Sequence, residues 1–136
     1  MRSTIWLLLI LGTALGAVAV TSLAAQQAKP PPGAPEKRER APIEQVDIRP
    51  DGAQPGRYLA HVVFGLPSGC ARPGGYEVKR LGERFEIAVS ILVPAQPRPC
   101  TMIYGTSTYD VPLPGGLVPG QSYTVRVNDR EATFTA

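Results

Sequence analysis

Histidine, tryptophan and cysteine are scarce in this chain, and their scarcity narrows the chemistry open to it. The 136 residues include one histidine, His61, one tryptophan, Trp6, and two cysteines, Cys70 and Cys100. A nucleophilic hydrolase needs a base beside its nucleophile, yet His61 is the only candidate base and no Gly-x-Ser-x-Gly motif supplies a nucleophile. The cysteines form no Cys-x-x-Cys pair of the kind that holds metals. We therefore expect a protein that is not an enzyme and that carries no metal and no cofactor.

A pattern for a long amphipathic helix is also missing. Residues 43–136 hold ten prolines and eleven glycines, which interrupt most windows long enough for such a helix. The segments between them alternate at period two, most clearly in 84–93, where Phe85, Ile87 and Val89 share one side. The sequence predicts strands at 43–48, 57–64, 76–80, 84–93, 101–104, 109–113, 123–127 and 131–135. We expect an all-β, immunoglobulin-like antiparallel β-sandwich of seven or eight strands.

The predicted domain, residues 43–136, has no excess of basic residues. The net charge is +3, but residues 43–136 contain nine basic and nine acidic side chains and are neutral. The surplus lies at Arg2 and in residues 25–42. No basic stripe with interleaved aromatics is present, so nucleic acid is not an expected partner.

The first part of the chain has the pattern of an export signal. Arg2 is followed by an apolar run from Ile5 to Val20 and then by the small residues around Ala24, which predicts a signal peptide over 1–24. An uncleaved membrane anchor is the alternative, although the apolar run is shorter than the roughly 20 residues a spanning helix needs. Residues 25–42 are rich in proline and charge and predict a disordered linker. Residues 43–136 then form the domain, and the protein is expected to be secreted or periplasmic.

The predicted export bears directly on the state of the two cysteines. In an oxidising compartment a lone pair of thiols is expected to form a disulfide, and closing a loop between Cys70 and Cys100 stabilises a fold by roughly 3–4 kcal/mol. Each cysteine lies in a predicted loop, 66–75 or 94–100, so the disulfide is expected to join two loops at one end of the sandwich. Exposed loops on a rigid scaffold are common binding sites. The candidate binding residues of these two loops are Ser68, Arg72 and Arg98.

One local motif carries a resemblance. The stretch Leu117 to Val127 contains the pattern Leu-x-Pro-Gly-x-x-Tyr, with Leu117, Pro119, Gly120 and Tyr123 at the named positions. It resembles the tyrosine corner of fibronectin type III and related bacterial immunoglobulin-like domains. The resemblance implies that the Tyr123 hydroxyl bonds back to nearby backbone, and it implies no activity. The chain departs from antibody domains because it has no tryptophan in the domain and no cysteine just after the tyrosine.

Two other kinds of site are not favoured. Glu77 and Glu86 fall in adjacent predicted strands, but the basic residues around them indicate cross-strand ion pairs and not a glycosidase pair. A copper site could use His61, the two cysteines and Met102, but a disulfide would consume both thiolates. The sequence therefore predicts a non-catalytic exported module with a protein or glycan partner, or a structural role. A small secreted protease inhibitor that uses the pinned loops is the alternative.

Overall fold

The computed structural model describes residues 33–136, and eight β-strands form two sheets there. The predicted signal peptide and the start of the predicted linker lie outside the described residues. Within the described part, no helix is long and apolar enough to cross a membrane. The strands are β1 (Glu36–Arg40), β2 (Ile43–Pro50), β3 (Tyr58–Leu66), β4 (Arg72–Leu81), β5 (Arg84–Pro94), β6 (Gly105–Pro112), β7 (Ser122–Val127) and β8 (Arg130–Thr135).

Strand β5 organises the larger sheet. It pairs with β4 along residues 84–92, and the neighbours on its opposite side are β7 at 84–87 and β1 at 90–94. Strand β8 follows β7, and the smaller sheet has the order β2-β3-β6. These two sheets and the disulfide confirm the predicted all-β sandwich. One pairing differs from the antiparallel expectation, because β7 runs parallel to β5.

The core lies between the two sheets and comes from alternate residues of the long strands. In β5, Phe85, Ile87, Val89 and Ile91 are buried while the intervening residues face outward, as the period-two pattern predicted. The turn at Gly82, which has a φ of 65°, joins β4 to β5 as a hairpin. The residues that complete the buried core are Ala41, Ile43, Ala60, Val62, Phe64, Val111, Leu113, Tyr123, Val125 and Val127.

The predicted start of the domain at Ile43 is too late. Residues Glu36–Arg40, expected in the disordered linker, form β1 and pair with β5. All five side chains of β1 are charged and exposed, so no apolar alternation marks the strand in the sequence. Its position depends on bonds to distant residues, since one Arg38 nitrogen lies 2.8 Å from the Ser90 hydroxyl oxygen.

Two further expectations about strand positions are wrong. Residues 101–104 were predicted as a strand, but they have no strand partner and the following strand begins at Gly105. Residues of high strand propensity form a strand only where a neighbouring strand completes the ladder. Conversely, β4 begins at Arg72, so residues expected in the long loop 66–75 belong to the sheet.

Candidate functional site

The two cysteines join the β3–β4 loop to the β5–β6 loop at one end of the sandwich. The Cys70 and Cys100 sulfurs are 2.04 Å apart and the Cα atoms are 5.6 Å apart. Beside this disulfide the Gly69 N–H donates to the carbonyl oxygen of Thr101 at 2.9 Å. A Cβ at Gly69 would lie 2.0 Å from the Thr101 hydroxyl oxygen, so the close approach requires glycine. The predicted joining of the two loops is confirmed.

The structure gives the predicted binding residues different surroundings. The Ser68 hydroxyl accepts from the backbone N–H of Cys70 at 3.3 Å and the Ser68 carbonyl accepts from Ala71 at 3.0 Å. Ser68 thus shapes its own loop. Arg98 is exposed on the β5–β6 loop.

Arg72 lies in β4 and binds Glu36 of β1, across the intervening β5. Its Nε donates to one Glu36 carboxylate oxygen at 2.8 Å while a terminal nitrogen bonds the other oxygen. This hydrogen bonding lowers the pKa of Glu36, and the nearby charges of Arg72 and Arg98 act in the same direction. Arg72 thus contributes to the attachment of β1, which differs from the predicted role in a binding loop.

The two most exposed large apolar side chains of the described residues, those of Met102 and Ile103, lie directly after the disulfide, and Tyr104 follows them. Met102 is 86% exposed, Ile103 is 71% exposed and Tyr104 is 53% exposed. We call residues 102–104 the apolar segment. These residues were not predicted as a binding site because their apolar character favours a strand, although it is visible in the sequence directly after Cys100. Exposed apolar residues that are contiguous mark interaction sites more often than isolated ones do.

Tyr104 holds the base of the apolar segment against the smaller sheet. Its ring lies over Gly65, where an added Cβ would be 1.8 Å from the tyrosine oxygen. The hydroxyl donates to Glu44 of β2, and this bond raises the pKa of Tyr104. Met102 and Ile103 are therefore presented from a segment that is fixed at both ends, by Cys100 and by Tyr104.

The opposite end of the sandwich contains the residues of the predicted tyrosine corner. Tyr123 is 2% exposed, and its hydroxyl accepts a hydrogen bond from the Val118 N–H at 2.9 Å. Leu117 packs against the core, Pro119 is exposed, and Gly120 has a φ of 82°. This bond has the geometry that the resemblance implied, and it orders the chain entering β7.

Asn128 is the one buried polar residue among the described side chains, and it lies in the turn between β7 and β8. Strands β1 and β7 both end beside the middle of β5, which leaves the backbone of Val89 between them. The Asn128 Oδ1 accepts from the Val89 N–H at 3.0 Å, and Nδ2 donates to the carbonyls of Ala41 at 2.8 Å and Val89 at 2.9 Å. One side chain thus connects three strands.

His61 lies on the outer face of the smaller sheet beside two charged residues. Its Nδ1 is 2.7 Å from Asp110 Oδ1, and Arg49 donates to the same oxygen at 2.7 Å. The hydrogen bond from His61 is the main cause of a lowered pKa of Asp110, and Arg49 adds to it. Among the described residues no hydroxyl or thiol bonds the imidazole, so this pair lacks the nucleophile that hydrolysis needs. Both sulfurs of the copper hypothesis are bonded to each other.

Glu77 and Glu86 line a shallow groove on the outer face of the larger sheet. The groove has a volume of about 260 Å³ and is also lined by Arg40, Lys79 and Arg126. In the pairing register Glu86 lies opposite Lys79, while Glu77 lies opposite Ala88. The carboxylates are thus interleaved with cations on a solvated face. No cluster of histidine, cysteine and acidic residues suited to a metal occurs in the described part of the chain.

A family model described as the ORF11 beta-sandwich domain matches residues 60–136, which is more than half of the chain. The chain belongs to this family. The matched part of the ORF11 beta-sandwich domain runs from within β3 to the end of β8, so it contains the disulfide and the apolar segment but not β1 or β2. No curated protein and no solved structure matches the chain. The family match supports a β-sandwich, and the immunoglobulin-like identity stays a prediction.

Proposed function

We propose that the chain is an exported, non-catalytic, immunoglobulin-like module that binds a protein partner through its disulfide-linked end. The observation that carries this proposal is the exposure of Met102 and Ile103 beside the Cys70–Cys100 disulfide. The remaining exposed large apolar residues of the described chain are Tyr76, Leu81 and Val118, and they are separated in sequence from this segment.

The disulfide-linked end favours binding because most of the conformational entropy of its loops is already lost when the chain folds. The disulfide fixes one end of the apolar segment, Tyr104 fixes the other, and Pro97 and Pro99 restrict the loop before it. A pre-organised segment loses less conformational entropy on association than a flexible one. The structure therefore presents two apolar side chains on a rigid support.

A protein partner is favoured over a glycan by the chemistry of these side chains. Methionine is flexible and polarizable and fits varied apolar surfaces, and burial of Ile103 is favourable only against apolar groups. Arg98, exposed on the same loop, adds a positive charge to this end of the sandwich, and polar residues are common at the rim of protein interfaces.

The test is capture of envelope proteins by the purified chain. The double variant Met102→Asp/Ile103→Asp is compared with the control Leu81→Asp. The control introduces a carboxylate in place of an exposed apolar residue at the opposite end of the sandwich. We expect a partner retained by the unmodified chain and by Leu81→Asp but lost with the double variant. Equal retention by all three proteins, or no retained partner, would contradict the proposal. Circular dichroism confirms that each variant is folded.

A protease inhibitor is the second candidate, and one observation favours it. Met102 projects from a covalently held loop two positions after Cys100, and a rigid loop with a protruding side chain fits a protease cleft. A panel of serine and cysteine proteases is assayed with the chain and with Met102→Asp. Inhibition by the unmodified chain that the variant lacks would support this candidate, and unchanged protease rates would exclude it for those enzymes.

A further inference from the structure

We infer that the free edge of β6 pairs with the same edge of a second copy of this chain. This inference goes beyond the proposed function, because it concerns self-association along a sheet edge and not a foreign partner at the loop end. It follows from the backbone groups that β6 leaves unpaired, from the charges on the other edge strands, and from the self-complementary sequence of β6.

The direction of the backbone groups in β6 follows from one hydrogen bond. The Leu113 N–H donates to the Tyr58 carbonyl at 3.0 Å, in register with the β3–β6 pairing. Because bonding directions alternate along an antiparallel strand, the odd-numbered residues of β6 bond to β3. Thr106, Thr108 and Asp110 therefore direct their backbone N–H and C=O groups away from the sheet. In residues 33–136, β6 has no partner on that side.

The other edge strands of the described chain carry features that discourage pairing. Exposed charges, prolines and bulges are the usual protection of an edge. Every residue of β1 is charged, β2 carries three charges and ends in Pro50, β4 contains Pro73 and a bulge, and β8 begins with Arg130 and Glu131. Strand β6 has a single charge, Asp110, which is already bound by Arg49 and His61. Apart from its terminal proline, β6 is thus the least protected edge.

The occupant is a second copy because the sequence of β6 is complementary to itself in one antiparallel register. An antiparallel pairing centred on Ser107 places Thr106 opposite Thr108 of the second copy, at the positions where outward backbone groups bond. Cross-strand threonine pairs are favourable. The same register keeps the two Asp110 carboxylates apart, since each faces position 104 of the other copy. Met102, exposed beside this edge, would then lie near Pro112 of the second copy.

The experiment is sedimentation equilibrium of the purified chain over a wide concentration range. We expect a monomer at low concentration and a doubled mass at high concentration. Thr108→Pro removes an outward N–H without removing a bond to β3, because an edge strand tolerates proline where its N–H faces solvent. This variant should stay monomeric. Thr133→Pro is the matched control on the β8 edge. The Ala136 N–H donates to the Gln121 carbonyl, so the N–H of residue 133 likewise points away from the sheet. The Thr133→Pro variant should dimerise like the unmodified chain.

A second variant and a second readout keep the result clear if proline disturbs folding. Thr106→Lys/Thr108→Lys retains every backbone N–H but sets like charges opposite each other, so it should also stay monomeric. Hydrogen exchange should show slowed exchange of the Thr106 and Thr108 amides at high concentration in the unmodified chain. A monomer at all concentrations, a dimer that Thr108→Pro and the lysine variant leave intact, or amides whose exchange is independent of concentration would overturn the inference.

Discussion

The Nδ2 of Asn128 donates a hydrogen bond to the carbonyl oxygen of Ala41, although 87 positions separate the two residues. This contact links the ends of β1 and β7, which both pair with the same side of β5. Asn128 also occupies left-handed backbone with a φ of 52°, a conformation that asparagine adopts more readily than most residues. Its side chain and its backbone therefore both serve the junction of three strands.

Replacing Asn128 is expected to destabilise the fold strongly. Asn128→Ala leaves the Val89 N–H and the Ala41 C=O without their side-chain partner, and buried groups of this kind cost about 1–3 kcal/mol each. We expect a loss of about 2–4 kcal/mol in the free energy of unfolding, measured by urea denaturation. Asn128→Gly separates the two effects, since glycine relieves the backbone strain but restores no bond. A loss below about 1 kcal/mol in both variants would contradict this account.

Removal of the disulfide is expected to lower stability and to loosen the loop end. Cys70→Ser/Cys100→Ser abolishes the link between residues that are 30 positions apart, which is worth roughly 3–4 kcal/mol. In a domain of this size each kcal/mol lowers the melting temperature by about 4–8 °C. Calorimetry of the variant and of the reduced chain should give matching decreases, and melting temperatures equal to that of the oxidised chain would contradict the role of the disulfide.

The Arg72–Glu36 pair predicts a specific loss of stability in acid. The pKa of Glu36 is lower in the folded chain than the usual value of about 4.3, because Arg72 donates hydrogen bonds to the carboxylate. The stabilisation is fully present above the unfolded pKa and is lost as the pH falls through the folded one. The difference in stability between the unmodified chain and Glu36→Gln should therefore shrink below about pH 4. Urea midpoints measured across the acid range test this, and a constant difference would count against the pair.

The hydroxyl of Tyr123 is expected to make a small, separable contribution. Tyr123→Phe keeps the ring that stacks on Phe134 at 5.6 Å but removes the acceptor of the Val118 N–H. We expect a loss of about 0.5–1.5 kcal/mol, with the chain still folded. Tyr123→Leu should cost more because the aromatic contacts go as well, and a Tyr123→Phe variant as stable as the unmodified chain would show that the hydrogen bond contributes nothing.

The strands with clear alternation could be predicted from the sequence, and so could the disulfide between loops. Strand β5 and its hairpin follow from period-two burial and from Gly82. Strand β1 could not be predicted, because a strand of charged residues has no apolar pattern and its attachment depends on Ser90 and Arg72. Residues 101–104 show the opposite error, since these residues of high strand propensity have no partner strand within the described chain.

The proposed binding site keeps the location that the sequence indicated, the disulfide-linked loops, and uses different residues. The sequence placed the site at the disulfide and proposed Ser68, Arg72 and Arg98. Polar loop residues are often used locally, as Ser68 is in its turn and Arg72 in its pair with Glu36. Which apolar side chains stay exposed depends on long-range packing, and a single sequence does not encode that in any local pattern.

Site-specific photo-crosslinking at position 102 tests the central claim most directly. A photoreactive amino acid replaces Met102 in the full chain in its native host, and a second protein carries the same group at Val118, which is exposed at the opposite end. The account predicts a discrete covalent adduct with another protein at position 102 and none at position 118. The absence of an adduct at position 102, or equal labelling at both positions, would contradict it.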